Sequence, residues 1–145
     1  MTIQRMDHVG IVVDDLAAAT GFFVELGLVA QGGGSVEGRW VDHIVGLEGV
    51  RTDFAFVQTS DGHGRLELIK FHSPSHQGDS SRAPANAPGL RHIAFVVEDI
   101  DAVVVRLRAR GIELVGKVER AGDSYRLCYV RGPDGIIVEL AAKVV

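Results

Sequence analysis

The sequence has little cysteine, no long apolar run and no excess of cations. Its one cysteine, Cys128, has no second thiol with which to form an internal disulfide, as is typical of a reducing compartment. No apolar run approaches the roughly 20 residues that a membrane-spanning helix needs. With 15 Lys and Arg against 19 Asp and Glu, the net charge is −4, which leaves no basic surplus for binding phosphates. These shortages predict a protein that neither spans a membrane nor binds nucleic acid.

The N-terminal segment MTIQRMDHVG lacks the basic start, apolar core and small-residue cleavage site of a secretory signal, so we expect a cytoplasmic location. The composition, 46% hydrophobic and 23% charged, is typical of a globular protein. A chain of 145 residues is long enough for one domain with a substantial core and short for two. We therefore predict a single domain over residues 1–145.

The chain contains an internal repeat at a spacing of 84 residues. The segment DHVGIVVDDLAAATGFFVELGLVA, which starts at Asp7, aligns without a gap with RHIAFVVEDIDAVVVRLRARGIEL, which starts at Arg91. Matched positions in this alignment include His8 with His92, Asp15 with Asp99, and Gly27 with Gly111. A repeat of this kind decides the architecture, because each copy should fold as the same supersecondary unit.

Each copy predicts a strand followed by a helix. The β-branched runs at 9–13 and 93–97 predict buried strands. An aspartate then caps a helix of about three turns, and a glycine suited to the left-handed conformation ends it. The apolar stripe of the second helix repeats at helical spacing and consists of Ile100, Val103, Val104 and Leu107.

Three more strands are predicted after each helix. They lie at 41–45, 52–59 and 65–71 in the first half and at 113–118, 125–131 and 136–142 in the second. The turns at 61–62 and 132–135 contain the Asp, Gly and Pro residues that favour chain reversal. The glycine-rich residues 31–38 are predicted as an extra loop of the first half.

These elements predict an α+β fold of two tandem βαβββ modules at 3–71 and 90–143. A Ser-, Pro-, Ala- and Gly-rich linker at 72–89 joins them. Each half has only about 60 to 70 residues and would be marginal alone, so we expect the halves to pack as one unit.

Two pairs of reactive side chains recur at matched strand positions. His8 and His92 lie near the start of the first strand of each half. Glu67 and Glu139 lie in the last strand of each half, where the dipeptide Glu-Leu recurs at a spacing of 72. A carboxylate within an apolar strand costs several kcal/mol to bury unpaired, so it requires a cation, a proton or solvent.

A divalent metal would satisfy both carboxylates. Two imidazoles and two carboxylates without a thiolate suit Ni, Co, Zn, Mn or Fe, and leave positions for water or substrate oxygens. The alternative is that the histidines are ordinary strand residues and the glutamates face solvent on the other side of the sheet; two symmetric pairs favour the metal. The other histidines, at positions 43, 63, 72 and 76, are interpreted as surface residues, and Cys128 as a core residue.

The segments DHVGIVVDD, LRHIAFVVEDID, RLELIKF and RGPDGIIVEL together resemble the vicinal oxygen chelate superfamily. This superfamily includes glyoxalase I, methylmalonyl-CoA epimerase, extradiol dioxygenases, fosfomycin-resistance transferases and bleomycin-binding proteins. The resemblance implies two βαβββ modules whose curved mixed sheets enclose a cleft with one metal ion per site, and it implies a homodimer. It identifies His8, Glu67, His92 and Glu139 as the metal ligands.

Glu67 discriminates among the members that this chain resembles. Dioxygenases and fosfomycin transferases generally use only the positions of His8, His92 and Glu139, whereas the full set resembles bacterial glyoxalase I. The resemblance therefore implies a lyase or isomerase that moves a proton next to a carbonyl of a small oxygen-rich substrate, with Glu139 or Glu67 as the base. The alternatives are an extradiol-type ring-cleaving dioxygenase and a non-catalytic protein that binds a drug or metabolite. The arginine motif of glutathione binding is not recognisable, and the candidate arginines are Arg5, Arg39, Arg65 and Arg126.

Overall fold

The structure is a computed structural model that describes residues 2–78 and 82–144. The chain forms two compact units, Met1–Gly78 and Asp79–Val145. The boundary falls within the predicted linker, whose residues 79–81 lie outside the described residues. Among the residues that are described, no helix is long and apolar enough to cross a membrane.

The first unit is a mixed sheet with helices inserted between its strands. Its elements are β1 (Val9–Val12), α1 (Leu16–Glu25), β2 (Val29–Glu37), α2 (Arg39–Val45), β3 (Arg51–Gln58) and β4 (Arg65–Ser73). The strand order is β1-β4-β3-β2. β1 runs parallel to β4, and the other neighbours are antiparallel.

The second unit repeats this topology in a shorter form. Its elements are β5 (His92–Val96), α3 (Ile100–Ala109), β6 (Glu119–Ala121), β7 (Tyr125–Arg131) and β8 (Ile137–Lys143), with a short 3-10 turn at Pro133–Gly135 before β8. The strand order β5-β8-β7-β6, with β5 parallel to β8, matches that of the first unit. The predicted α+β fold of two tandem modules is therefore confirmed.

The helices begin and end where the sequence predicts. The carboxylates of Asp15 and Asp99 each accept a hydrogen bond at 3.0 Å from a backbone N–H three residues later, the usual geometry of an N-cap. Gly27 and Gly111 follow the helices with φ angles of 110° and 80°, which favour glycine because it has no Cβ.

One face of each sheet packs on the long helix of its unit. In the first unit this core contains Phe22, Phe23, Val57, Leu66 and Leu68. In the second unit it contains Ile100, Val103, Val104, Leu107, Cys128, Val130, Val138 and Leu140. The predicted apolar stripe of the second helix is thus buried, and burial raises the pKa of the Cys128 thiol. We call the opposite side of each sheet the distal face, which carries residues such as Phe56 and Glu67 in the first unit and Tyr129 and Glu139 in the second.

Several predictions of local structure are wrong. Residues 41–45 belong to α2 instead of a strand, although their β-branched residues favour a strand. Gly46 ends this helix in the left-handed conformation, and the Asp42 carboxylate accepts hydrogen bonds from the backbone of Gly49 and Val50.

The predicted loop at 31–38 lies largely in β2, because pairing with β3 overrides the weak strand preference of glycine. The predicted strand at 113–118 forms only a bridge from Leu114 to Val130.

Candidate functional site

The second unit brings its predicted histidine and glutamate together. The Nε2 atom of His92, at the start of β5, lies 3.1 Å from the Oε2 atom of Glu139 on β8. Parallel pairing of these strands places Ala94 opposite Glu139, so His92 is two residues before that position. The Glu139 side chain is 17% exposed and the His92 side chain 39%. The pair is therefore partly desolvated, and a small ligand can still reach it.

An aromatic ring completes this cluster. Tyr129 on β7 is directly opposite Glu139, so both side chains project from the distal face. The ring centroids of His92 and Tyr129 are 5.1 Å apart at an interplanar angle of 35°. The three side chains form one contiguous group on the second sheet.

The first unit carries the same three kinds of side chain in the same register. Gly10 on β1 is opposite Glu67 on β4, and Phe56 on β3 is opposite Glu67 from the other side. The His8 and Phe56 rings meet edge to face with centroids 5.7 Å apart. His8 is two residues before Gly10, as His92 is two before Ala94.

The His8 side chain has a carboxylate neighbour. Its Nδ1 atom lies 2.7 Å from Oδ2 of Asp7, and the Arg5 guanidinium donates to Oδ1 of the same carboxylate at 3.0 Å. The Arg65 guanidinium lies 3.6 Å from Asp7 and 3.8 Å above the Phe56 ring centroid. The hydrogen bond to His8 is the largest cause that lowers the pKa of Asp7; burial opposes it, and the charges of nearby cations, Arg5 first, lower the pKa further.

The donors of each unit are of the kind that bind divalent metals. Each unit offers one imidazole and one half-buried carboxylate that project from its distal face. The described residues contain no group of three or more His, Cys, Asp or Glu side chains that could hold a metal ion. The assignment of His8, Glu67, His92 and Glu139 as the ligands of one metal therefore stays a prediction.

Two features of the site were not predicted from the sequence. The first is the aromatic pair Phe56 and Tyr129, whose signal is the recurrence of an aromatic-Val dipeptide in β3 and β7. The second is the contact of Asp7 with His8. These residues are adjacent in the sequence, but the side chains of neighbouring residues in an extended chain usually point to opposite sides, so the DH dipeptide does not predict this contact.

The remaining polar residues separate into surface and helix-side positions. All four other histidines are exposed, as predicted. His72 lies in β4 instead of the linker, and its Nε2 atom is 2.8 Å from Asp53. Among the candidate arginines, Arg126 makes two hydrogen bonds with Asp101 of α3, on the helix side of the sheet. Arg65 contacts Phe56 of the distal face, and both Arg5 and Arg65 contact Asp7 beside His8.

Comparison with known proteins finds similarity over nearly the whole chain. The family model described as the Glyoxalase/Bleomycin resistance protein/Dioxygenase superfamily matches residues 7–129. The uncharacterized protein YwbC of Bacillus subtilis (strain 168) is 31% identical, covering 94% of this chain and 95% of that protein. The uncharacterized protein YaeR of Escherichia coli (strain K12) is 27% identical, covering 95% of each.

A solved structure is also similar. A crystal structure of a glyoxalase family protein from Bacillus cereus shares 44% sequence identity with this chain and superimposes with a TM-score of 0.95. The match covers 100% of this chain and 97% of that one.

Proposed function

We propose, since this chain belongs to the glyoxalase/bleomycin resistance protein/dioxygenase superfamily, that it is a metal-dependent lyase or isomerase that moves a proton next to a carbonyl group. Its substrate is a small oxygen-rich molecule. One divalent ion, Ni, Co, Zn, Mn or Fe, is held by His8, Glu67, His92 and Glu139. The proposal includes a homodimer in the cytoplasm.

The repeated register of the His, Glu and aromatic side chains carries this proposal. In each unit, one neighbouring strand places the residue two positions after the histidine opposite the glutamate. The neighbouring strand on the other side places an aromatic residue opposite the same glutamate. The two units differ in most other side chains of these strands. A repeated placement of ionisable groups on otherwise different apolar strands favours a common ligand over two unrelated surface pairs.

The donor chemistry fits a catalytic ion better than a structural one. Four N and O donors without a thiolate leave coordination positions open, whereas structural zinc sites are usually closed and rich in cysteine. When bound, such an ion would supply Lewis-acid polarisation of a substrate carbonyl and so favour loss of the neighbouring proton.

The glutamates are the groups that would hold the transferred proton. Glu139 is our first choice of base, because its side chain is mostly buried against an apolar strand and lies 3.1 Å from Nε2 of His92. A carboxylate Oε atom of Glu139 would accept the proton from carbon and return it to the neighbouring carbon. Glu67, half-buried at the equivalent position, is the second choice or the partner base. The aromatic rings of Phe56 and Tyr129 would limit access of water to these carboxylates.

Metal content is the direct test. Purified full-length protein should hold about one divalent ion per chain, and His8→Ala and His92→Ala should each lose it. His63→Ala, in the exposed turn between β3 and β4, is the matched control and should retain the metal. Retention of the full metal content by both ligand variants would overturn the proposed site.

The two glutamates can be separated by amide variants. Epimerases that this chain resembles often carry an amide at the position of Glu67, so Glu67→Gln should retain most of the metal and Glu67→Ala should not. Glu139→Gln should abolish deuterium uptake from heavy water at the carbon next to the carbonyl of a bound substrate. Normal deuterium uptake by Glu139→Gln, together with loss of uptake in Glu67→Gln, would assign the role of base to Glu67 and not to Glu139.

A second candidate function is binding of a drug or metabolite without chemistry. It is favoured by the apolar distal face of the first unit, where Phe54, Phe56 and Ile69 lie half-buried on adjacent strands. The Phe54 and Phe56 rings meet edge to face at 5.6 Å. Ligand binding that is unchanged by a chelator would support this function over the catalytic one. Oxygen uptake with catechols would instead support the ring-cleaving dioxygenase.

A further inference from the structure

Asp7 forms a side-chain hydrogen bond with His8, and the residue at the equivalent position of the second unit is Arg91. The Asp7 carboxylate accepts from Nδ1 of His8 at 2.7 Å and from Arg5 at 3.0 Å, and lies 3.6 Å from the Arg65 guanidinium. Arg65 is in turn held on the Phe56 ring, which also contacts His8. The His8 ring is thus fixed on one edge by a hydrogen bond and by an aromatic contact with Phe56.

The chemistry of this contact decides which ring nitrogen carries the proton. The Asp7 carboxylate is shared by the Arg5 and Arg65 guanidinium groups, which need an acceptor, and a carboxylate paired in this way only accepts hydrogen bonds, so Nδ1 of His8 is the donor. In a neutral imidazole the other nitrogen, Nε2, then has a free lone pair. We propose that Asp7 is a positioning residue that holds His8 in the Nδ1–H tautomer and presents Nε2 to a ligand.

The equivalent position in the second unit is Arg91, which cannot accept a hydrogen bond. There it is Nε2 of His92 that lies beside a carboxylate, 3.1 Å from Oε2 of Glu139. The carboxylate of each unit therefore lies beside a different ring nitrogen of its histidine. Asp7 leaves the Nε2 side of His8 to a ligand, whereas a cation at Nε2 of His92 would have to share or displace the Glu139 carboxylate.

The tautomer can be measured on the metal-free, full-length protein. Two-bond ¹H–¹⁵N correlation spectra distinguish Nδ1–H from Nε2–H rings, and His8 is assigned as the signal that disappears in His8→Gln. Above neutral pH, wild-type His8 should give the Nδ1–H pattern. Asp7→Ala should shift it toward Nε2–H, and Asp7→Asn, whose amide oxygen still accepts, should restore much of the Nδ1–H pattern.

The control is Asp14→Ala, which removes a more exposed carboxylate that pairs with Lys70 and lies away from His8 in the sequence. It should leave the His8 pattern unchanged. An Nε2–H pattern in the wild type, or an unaltered Nδ1–H pattern in Asp7→Ala, would overturn the assignment of Asp7. A merely structural role of Asp7 would not move the nitrogen shifts of one ring selectively.

A second measurement extends the inference to metal affinity, and this part rests on the proposed function. Titration with Co(II) should show roughly 10- to 100-fold weaker binding by Asp7→Ala and no change for Asp14→Ala. Unchanged affinity in Asp7→Ala together with weak binding by His8→Ala would overturn a role of Asp7 in presenting His8. If His8→Ala also binds normally, the proposed metal site fails, and the tautomer spectra alone decide the role of Asp7.

Discussion

The two units share a strand register and differ in what surrounds it. Both place His, Glu and an aromatic residue on the distal face, and both cap their long helix with Asp. The first unit adds α2 and the long β2, and its distal face carries Phe54 and Ile69 where the second has Leu127 and Ala141. This difference indicates that backbone pairing determines where the ionisable groups lie, while the side chains next to them differ between the two units.

Removal of a core leucine should have the largest effect and should be equal in the two units. Leu68 and Leu140 occupy equivalent positions on β4 and β8, and both are 0% exposed. We expect Leu68→Ala and Leu140→Ala each to lower the free energy of unfolding by about 2–5 kcal/mol, measured by urea denaturation. Val105→Ala, on the exposed side of α3, should change it by less than about 0.5 kcal/mol. A large loss in only one leucine variant would show that the two cores are unequal.

Substituting alanine at two glycines of the first unit should distinguish its edge strand β2, which is longer than the corresponding strand of the second unit, from β1, which both units share. A Cβ at Gly33, beside an irregularity in the β2 to β3 pairing, would lie 2.1 Å from the backbone oxygen of Phe54, so β2 must shift. We expect Gly33→Ala to cost about 1–3 kcal/mol or more.

Gly10→Ala is the matched comparison. Its Cβ would meet only Ile69, at 3.8 Å, and the equivalent residue of the second unit is already Ala94. Thermal unfolding should show little change for this variant. Equal losses for Gly10→Ala and Gly33→Ala would contradict the difference that we draw between the shared strand and the edge strand.

Loss of either helix cap should have a moderate and similar effect. Asp15 and Asp99 accept the same backbone hydrogen bond at the same distance of 3.0 Å. We expect Asp15→Ala and Asp99→Ala each to reduce the free energy of unfolding by about 1 kcal/mol, while Asn at either position should retain most of it. Calorimetric midpoints of the four variants would check this, and unequal losses would reveal different roles of the two helices.

The smallest effect should come from an ion pair that only the second unit has. Arg126 donates hydrogen bonds to Asp101 at 2.7 and 3.0 Å and so lowers the pKa of that carboxyl. The equivalent positions of the first unit are Ala17 and Asp53, which cannot form this pair.

A carboxyl whose pKa is lowered by folding stabilises the native state above its ordinary pKa, and this stabilisation disappears as the pH falls through the lowered value. Asp101→Asn should therefore be slightly less stable than the wild type at neutral pH and equal to it in strong acid. Because both side chains are exposed, the difference should be small. Urea denaturation over a pH series measures it, and a difference that grows toward acid would contradict the assignment.

The sequence predicts those parts of the fold in which local signals and long-range pairing agree. The strands at 52–59, 65–71 and 125–131 lie within two residues of β3, β4 and β7, because alternating apolar residues and the intervening turns indicate the same hairpins. The paired Glu-Leu dipeptides likewise predict the equivalent positions of Glu67 and Glu139.

The sequence fails where tertiary pairing overrides local preference. Glycine-rich β2 is a strand only because β3 pairs with it, and the β-branched residues of α2 are helical because Gly46 and Asp42 fix the end of the helix. The contacts of His8 with Asp7 and Phe56 depend on rotamers and on the register of β3, which no sequence spacing specifies.

The first unit is longer than the second between its two predicted ligands. His8 and Glu67 are 59 positions apart, whereas His92 and Glu139 are 47 apart. Most of the additional residues lie between α1 and β3, in β2 and α2, and β2 is an edge strand of the sheet of the first unit. For protein engineering, this edge is the place to graft a foreign loop, because its length has already varied between the two copies without moving the glutamate register.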